Sequence, residues 1–177
     1  DSGVDSCGNI YTNQLFPVLD IEGTANLYVE EDSCLISPDM DYSYVIQVTG
    51  DITLKEGNGR LTLMLGNCKE DSEEEENYGY SIFGRKEGEN RRQGTVTLEG
   101  GDLVAYGGIE GLEKFTMTGG KADLSYGDGR CVYAEDIAIL GGELSLTDDA
   151  EKEWISYFLK GRNSVYTVSY THLRAHE

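Results

Sequence analysis

The chain has 177 residues, 14 basic against 33 acidic, for a formal net charge of −19. That length, with 38% hydrophobic residues, is enough for one domain with a packed core and argues against wholesale disorder. No apolar run approaches the roughly 18 residues of a spanning helix, and so acidic a surface repels the phosphates of nucleic acids and anionic lipids, which bind basic footprints. Nucleic acid and membrane insertion are therefore excluded as expectations, and calcium, cationic surfaces and neutral sugars remain.

In chain order, residues 1–44 read as an N-terminal cap with irregular strands. Within it Leu15-Phe16-Pro17-Val18-Leu19-Asp20-Ile21 and Ala25-Asn26-Leu27-Tyr28-Val29 are suited to cover the end of a sheet that would otherwise be an unpaired edge. Residues 45–147 carry the organising pattern. Val45-Ile46-Gln47-Val48-Thr49-Gly50-Asp51-Ile52-Thr53-Leu54 and Arg60-Leu61-Thr62-Leu63-Met64-Leu65-Gly66 alternate at a period of two, as half-buried strands do. Glu70-Asp71-Ser72-Glu73-Glu74-Glu75-Glu76-Asn77 is too dense in like charge to be a strand and marks an exposed acidic loop over 69–77.

Three later segments, 96–105, 115–124 and 137–146, share the pattern apolar-x-apolar-x-Gly-Gly-x-apolar-x-apolar or come very close to it. Their glycine pairs begin at 100, 119 and 141, giving repeat lengths of 19 and 22 residues. Two short strands joined at a glycine corner, recurring about every twenty residues, make one turn of a stacked coil. Glycine suits the corner because it accepts positive φ and lets backbones approach closely. Past the repeats, Thr147-Asp148-Asp149 followed by Ala150 through Lys160 predicts a capped helix in a helical segment over 148–166, with Trp154, Ile155, Phe158 and Leu159 on its apolar side.

The Gly-Gly repeat and the Gly50-Asp51-Ile52-Thr53-Leu54 element resemble those of the secreted parallel β-helix proteins of bacteria described as carbohydrate-binding-domain-containing, similar in layout to pectate-lyase-type solenoids. The resemblance covers roughly residues 45–146 and rests on structural motifs that many adhesins share. It implies an all-β, right-handed parallel β-helix, export to the cell surface or medium, and binding of acidic polysaccharide and calcium. A second resemblance concerns the end of the chain. Val168-Ser169-Tyr170-Thr171-His172-Leu173-Arg174-Ala175-His176-Glu177 resembles, in frame, a translation of the transposon mosaic end used in sequencing-library adapters. Residues 167–177 are accordingly expected to be a non-native tail on a metagenomic fragment, with further domains of the same gene beyond Tyr166. His172 and His176, the chain's two histidines, then form no metal site.

Candidate chemistry is sparse. Hard cations take several carboxylate and carbonyl oxygens, which makes Glu73, Glu75 and Asp128 candidate calcium ligands. A run of adjacent glutamates nevertheless lacks the alternating layout of a calcium loop, and Asp128-Gly129 is also an ordinary turn dipeptide. Flat rings stack on sugar faces, which makes Tyr106, Tyr126 and Tyr133, with Asp128 beside them, candidate ligand-binding residues; Tyr78 and Tyr80 lie in the same region. Packing at rung corners is the competing reading of each tyrosine, and several on one exposed face would favour the sugar. Cys7, Cys34, Cys68 and Cys131 contain no Cys-x-x-Cys pair, which argues against zinc, and a Cys7–Cys34 disulfide would tie down the N-terminal cap. The leading expectation is a noncatalytic solenoid that binds polysaccharide; a structural stalk or adhesin spacer is the first alternative. A lyase or glycosidase is the second, with Lys114, Lys121 and Arg130 available as basic groups but in no recognisable motif.

Overall fold

The computed structural model describes residues 2–4, 10–12, 17–37, 43–65, 79–84, 86–87, 91–125, 131–147, 158–168 and 172–176. Two small antiparallel pairs form sheets of their own: β1 (Ser2–Val4) with β2 (Ile10–Thr12), and β10 (Lys86–Glu87) with β11 (Arg91–Arg92). Every other strand pairing is parallel. The chain passes through three faces in turn and repeats the circuit. The first circuit is β3 (Leu19–Ile21), β4 (Thr24–Leu27) and β5 (Ser33–Ile36), and the second is β6 (Tyr44–Val48), β7 (Asp51–Leu54) and β8 (Arg60–Met64). The third is β9 (Tyr80–Gly84), β12 (Thr95–Leu98) and β13 (Asp102–Tyr106). In the last three circuits one long strand spans two faces: β14 (Ile109–Met117) precedes β15 (Lys121–Ser125), β16 (Val132–Ile139) precedes β17 (Glu143–Thr147), and β18 (Leu159–Thr167) precedes β19 (His172–His176).

The result is an all-β stack of six parallel rungs, in which a nine-stranded sheet forms the first and second faces and a six-stranded sheet forms the third. The long strands turn the corner between the first two faces at register irregularities, between Glu110 and Leu112 in β14 against β16, and between Ala134 and Asp136 in β16 against β18. This arrangement fits the repeat read from the sequence. It also shows that Leu19–Ile36, expected as irregular cap strands, forms a full rung in register with the second.

Alternation makes the core. On the second face Ile52, Val96, Phe115 and Ile137 occupy one inward column and Leu54, Leu98, Met117 and Ile139 the next, each at most 3% exposed. On the third face Leu61, Leu103, Ala122 and Leu144 stack beside Leu63, Ala105, Leu124 and Leu146. Apolar residues stacked on apolar residues, rung after rung, remove both neighbours from water, and burying such a side chain contributes about 1.5–3 kcal/mol.

The glycine corners lie where the repeat placed them. Gly101, Gly120 and Gly142 have φ of +74°, +75° and +89°, the left-handed region that costs an L-residue about 1–2 kcal/mol. A Cβ on Gly120 would lie 2.6 Å from the carbonyl carbon and oxygen of Gly100 in the rung beneath. Both the φ and the stacking distance therefore require glycine.

The expected C-terminal helix needs correction where it can be compared. No helix occurs among the described residues, and Leu159 and Lys160, placed at its end, begin β18, which pairs with β16. Along Leu159–Thr167 the backbone groups that face β16 pair in the parallel ladder instead of along a helix. Residues 148–157, including Trp154 and Ile155, lie outside the described residues. The tail read as adapter-derived contains β19, whose register sets His172 against Glu143 and His176 against Thr147.

Candidate functional site

Outward residues of the first face stack in register as the inward ones do. Both β6 and β9 have an out-in-in-out order: Tyr44 and Gln47 flank buried Val45 and Ile46, and Tyr80 and Phe83 flank buried Ser81 and Ile82. Parallel pairing sets Tyr44 against Tyr80 and Gln47 against Phe83. The three rings then pack together on the outer side, half-buried. Tyr44 and Phe83 have centroids 4.3 Å apart with planes 6° from parallel, Tyr80 and Phe83 lie 5.7 Å apart at 20°, and Tyr44 and Tyr80 lie 6.3 Å apart at 16°.

The column continues up the coil. Phe83 is in register with Glu110, Glu110 with Tyr133, and Tyr133 with Lys160. The Lys160 ammonium sits 5.2 Å from the centre of the Tyr133 ring, within the range of a cation–π attraction. One line of the first face thus presents an aromatic cluster, a carboxylate, a second aromatic ring and a cation.

Against this face, the third carries charge of alternating sign. Arg60, Asp102, Lys121 and Glu143 follow one another in its outer register. Arg60 Nε donates to Asp102 Oδ2 at 3.0 Å, Lys121 Nζ lies 3.7 Å from Glu143 Oε2, and the Arg60 backbone N–H donates to Asp32 Oδ1 at 2.9 Å. The hydrogen bond to Asp102, and then its charge, hold the Arg60 guanidinium above its usual range. Lys55 with Glu99 and Arg162 with Glu135 likewise join neighbouring rungs. These exposed pairs favour the correct register and contribute little each.

No family model matches the chain, and neither a curated protein nor a solved structure matches it.

Among the described residues, the candidates named from the sequence are not brought together. Tyr133 lies in the first-face column, but Tyr106, half exposed at 50%, lies on the third face in register with Met64 and Ser125. Tyr78, Tyr126, Asp128, Arg130, Glu73 and Glu75 lie outside the described residues. Lys114 is on the second face and Lys121 on the third, so these two bases do not converge. Among the described residues no group of three or more His, Cys, Asp and Glu side chains could hold a metal ion. Cys34 is an exposed free thiol, while Cys7 lies outside the described residues. Cys131 is buried, and its Sγ donates to the Thr147 carbonyl at 3.3 Å.

Of the three clustered rings, sequence reasoning picked out Tyr80 and missed Tyr44 and Phe83. The signal was there in the matched segments Tyr44-Val45-Ile46-Gln47-Val48 and Tyr80-Ser81-Ile82-Phe83-Gly84. Recognising them as equivalent requires bridging the long acidic insertion that separates their rungs.

Proposed function

We propose that this chain is a noncatalytic, secreted or surface-exposed β-solenoid that binds polysaccharide on its first face. The observation that carries the reading is the half-buried cluster of Tyr44, Tyr80 and Phe83 on one outer side, in line with Tyr133. Aromatic rings offer sugars a flat apolar surface, while Gln47 and Glu110 beside them supply hydrogen-bonding groups for hydroxyls. Since the rings stack on one another, a sugar meets the outer surfaces and edges of the cluster. The coil is taken as right-handed, the hand that parallel crossover connections adopt almost without exception. Calcium belongs to this reading only as an assisting ion.

The test is retention on a panel of immobilised neutral and acidic polysaccharides, with and without chelator. Retention that falls with Phe83→Ala supports the proposal, and failure to retain any polysaccharide refutes it. A second reading, a structural stalk, is favoured by the near-parallel packing of Tyr44 on Phe83, because such stacking also ties one rung to the next. It predicts that Phe83→Ala lowers stability and that no glycan is bound by either protein.

A further inference from the structure

We infer that the ligand is a neutral, extended glycan lying along the coil axis, one sugar ring to a rung, over the column Phe83, Glu110 and Tyr133. This rests on the polysaccharide reading and specifies direction, length and charge. Direction follows from register. The aromatic cluster spans the second and third rungs, and Tyr133 is in the fifth, reached through Glu110 in the fourth. A chain crossing the faces instead would meet the cluster and miss Tyr133, which lies two rungs above Phe83 along the coil.

Length follows from strand spacing. Neighbouring parallel strands lie about 4.8 Å apart, so Phe83 and Tyr133 are separated by roughly 10 Å along the axis. An equatorially linked pyranose chain advances by about one such spacing per sugar. One ring over the aromatic cluster and one over Tyr133 therefore leave a middle sugar facing Glu110, whose carboxylate accepts bonds from hydroxyl groups.

Charge follows from the same carboxylate and from the whole chain. A uronic acid in the middle position would meet Glu110 directly, on a protein whose net charge is −19. Like charges close together on a folded surface disfavour binding and slow encounter. Lys160 closes the column at the sixth rung but already lies against Tyr133.

The experiment is calorimetric titration with β-1,4-linked glucose oligomers of increasing length, and with polygalacturonate as the anionic comparison. Affinity should rise with each added sugar until the oligomer reaches from Phe83 in the third rung to Tyr133 in the fifth, then level off. Tyr133→Ala should weaken the longest oligomer about tenfold and leave the dimer unchanged. Tyr133→Phe, which keeps the ring, should bind as the parent does, and Tyr106→Ala should have no effect. Circular dichroism confirms that each variant is folded. A dimer that binds as tightly as the longest oligomer, a preference for polygalacturonate, or an unaltered Tyr133→Ala would overturn the inference while the polysaccharide reading stands. Retention of no glycan at all would overturn both.

Discussion

Replacing Gly120 by alanine tests the physical basis of the stack. The residue has φ of +75°, and a Cβ there would lie 2.6 Å from two backbone atoms of Gly100 and 2.7 Å from the carbonyl oxygen of Gly101. The left-handed conformation alone costs alanine about 1–2 kcal/mol. The overlap is with backbone and no side-chain rotation relieves it, so two rungs must separate locally, adding about 1–3 kcal/mol in line with other overpacked sites. Gly120→Ala should therefore lower stability by about 2–5 kcal/mol. Gly23 is the matched control: it has no positive φ, and a Cβ there would meet nothing within 4 Å. Gly23→Ala should be neutral or stabilising by up to about 1 kcal/mol, because alanine restricts the unfolded chain. Urea denaturation followed by far-ultraviolet circular dichroism measures both. Equal midpoints for the two variants, or a Gly120→Ala protein as stable as the parent, would refute the argument from close backbone stacking.

Three further outcomes follow from the packing. Phe115 is fully buried between Val96 and Ile137, so Phe115→Ala should cost about 3–5 kcal/mol in the same urea assay. Arg60→Glu sets a third carboxylate beside Asp32 and Asp102; the unfolding midpoint should fall and recover as salt is raised. Because Asp102 raises the Arg60 pKa, the stabilisation by Arg60 is complete below the guanidinium's ordinary range and is lost only above its folded value. The Arg60→Glu deficit should therefore be the same at neutral and mildly alkaline pH, and a deficit that changed there would count against this assignment. Under native conditions a thiol reagent should modify exposed Cys34 and spare Cys131 until urea is added; a Cys34 protected until reduction would instead show that it is held in a disulfide.

The Gly-Gly corners were legible because they combine two constraints that leave a mark in sequence: positive φ at Gly101, Gly120 and Gly142, and a close approach that excludes any Cβ. The inward columns of the regular rungs were legible for the same reason, since each strand buries alternate residues. Irregular rungs hid themselves. The third is separated from the second by the acidic stretch and interrupted by β10 and β11, so that Leu54 stacks on Leu98 across a long separation in sequence. In the sixth, Val165 is 48% exposed and Tyr166 is 59% exposed at the end of the stack. With few neighbours to bury, that strand carries little alternation, and the apolar spacing of Trp154, Ile155, Phe158 and Leu159 suggested a helix. The aromatic cluster was missed because register, a long-range property, brings Tyr44 to Phe83.

The register is also what an experiment can address most directly. Thr97 and Thr116 are paired on the outer side of the second face, whereas Asp123 lies on the third. Cysteines at directly paired positions fall within the Cα separations that a disulfide spans, about 4.4–6.8 Å. Under mild oxidation a Thr97→Cys, Thr116→Cys protein should form the cross-link, identified by peptide mass spectrometry, and a Thr97→Cys, Asp123→Cys protein should not. Equal yields from the two, or a cross-link in the second alone, would contradict the stacked parallel rungs on which the proposed binding face depends.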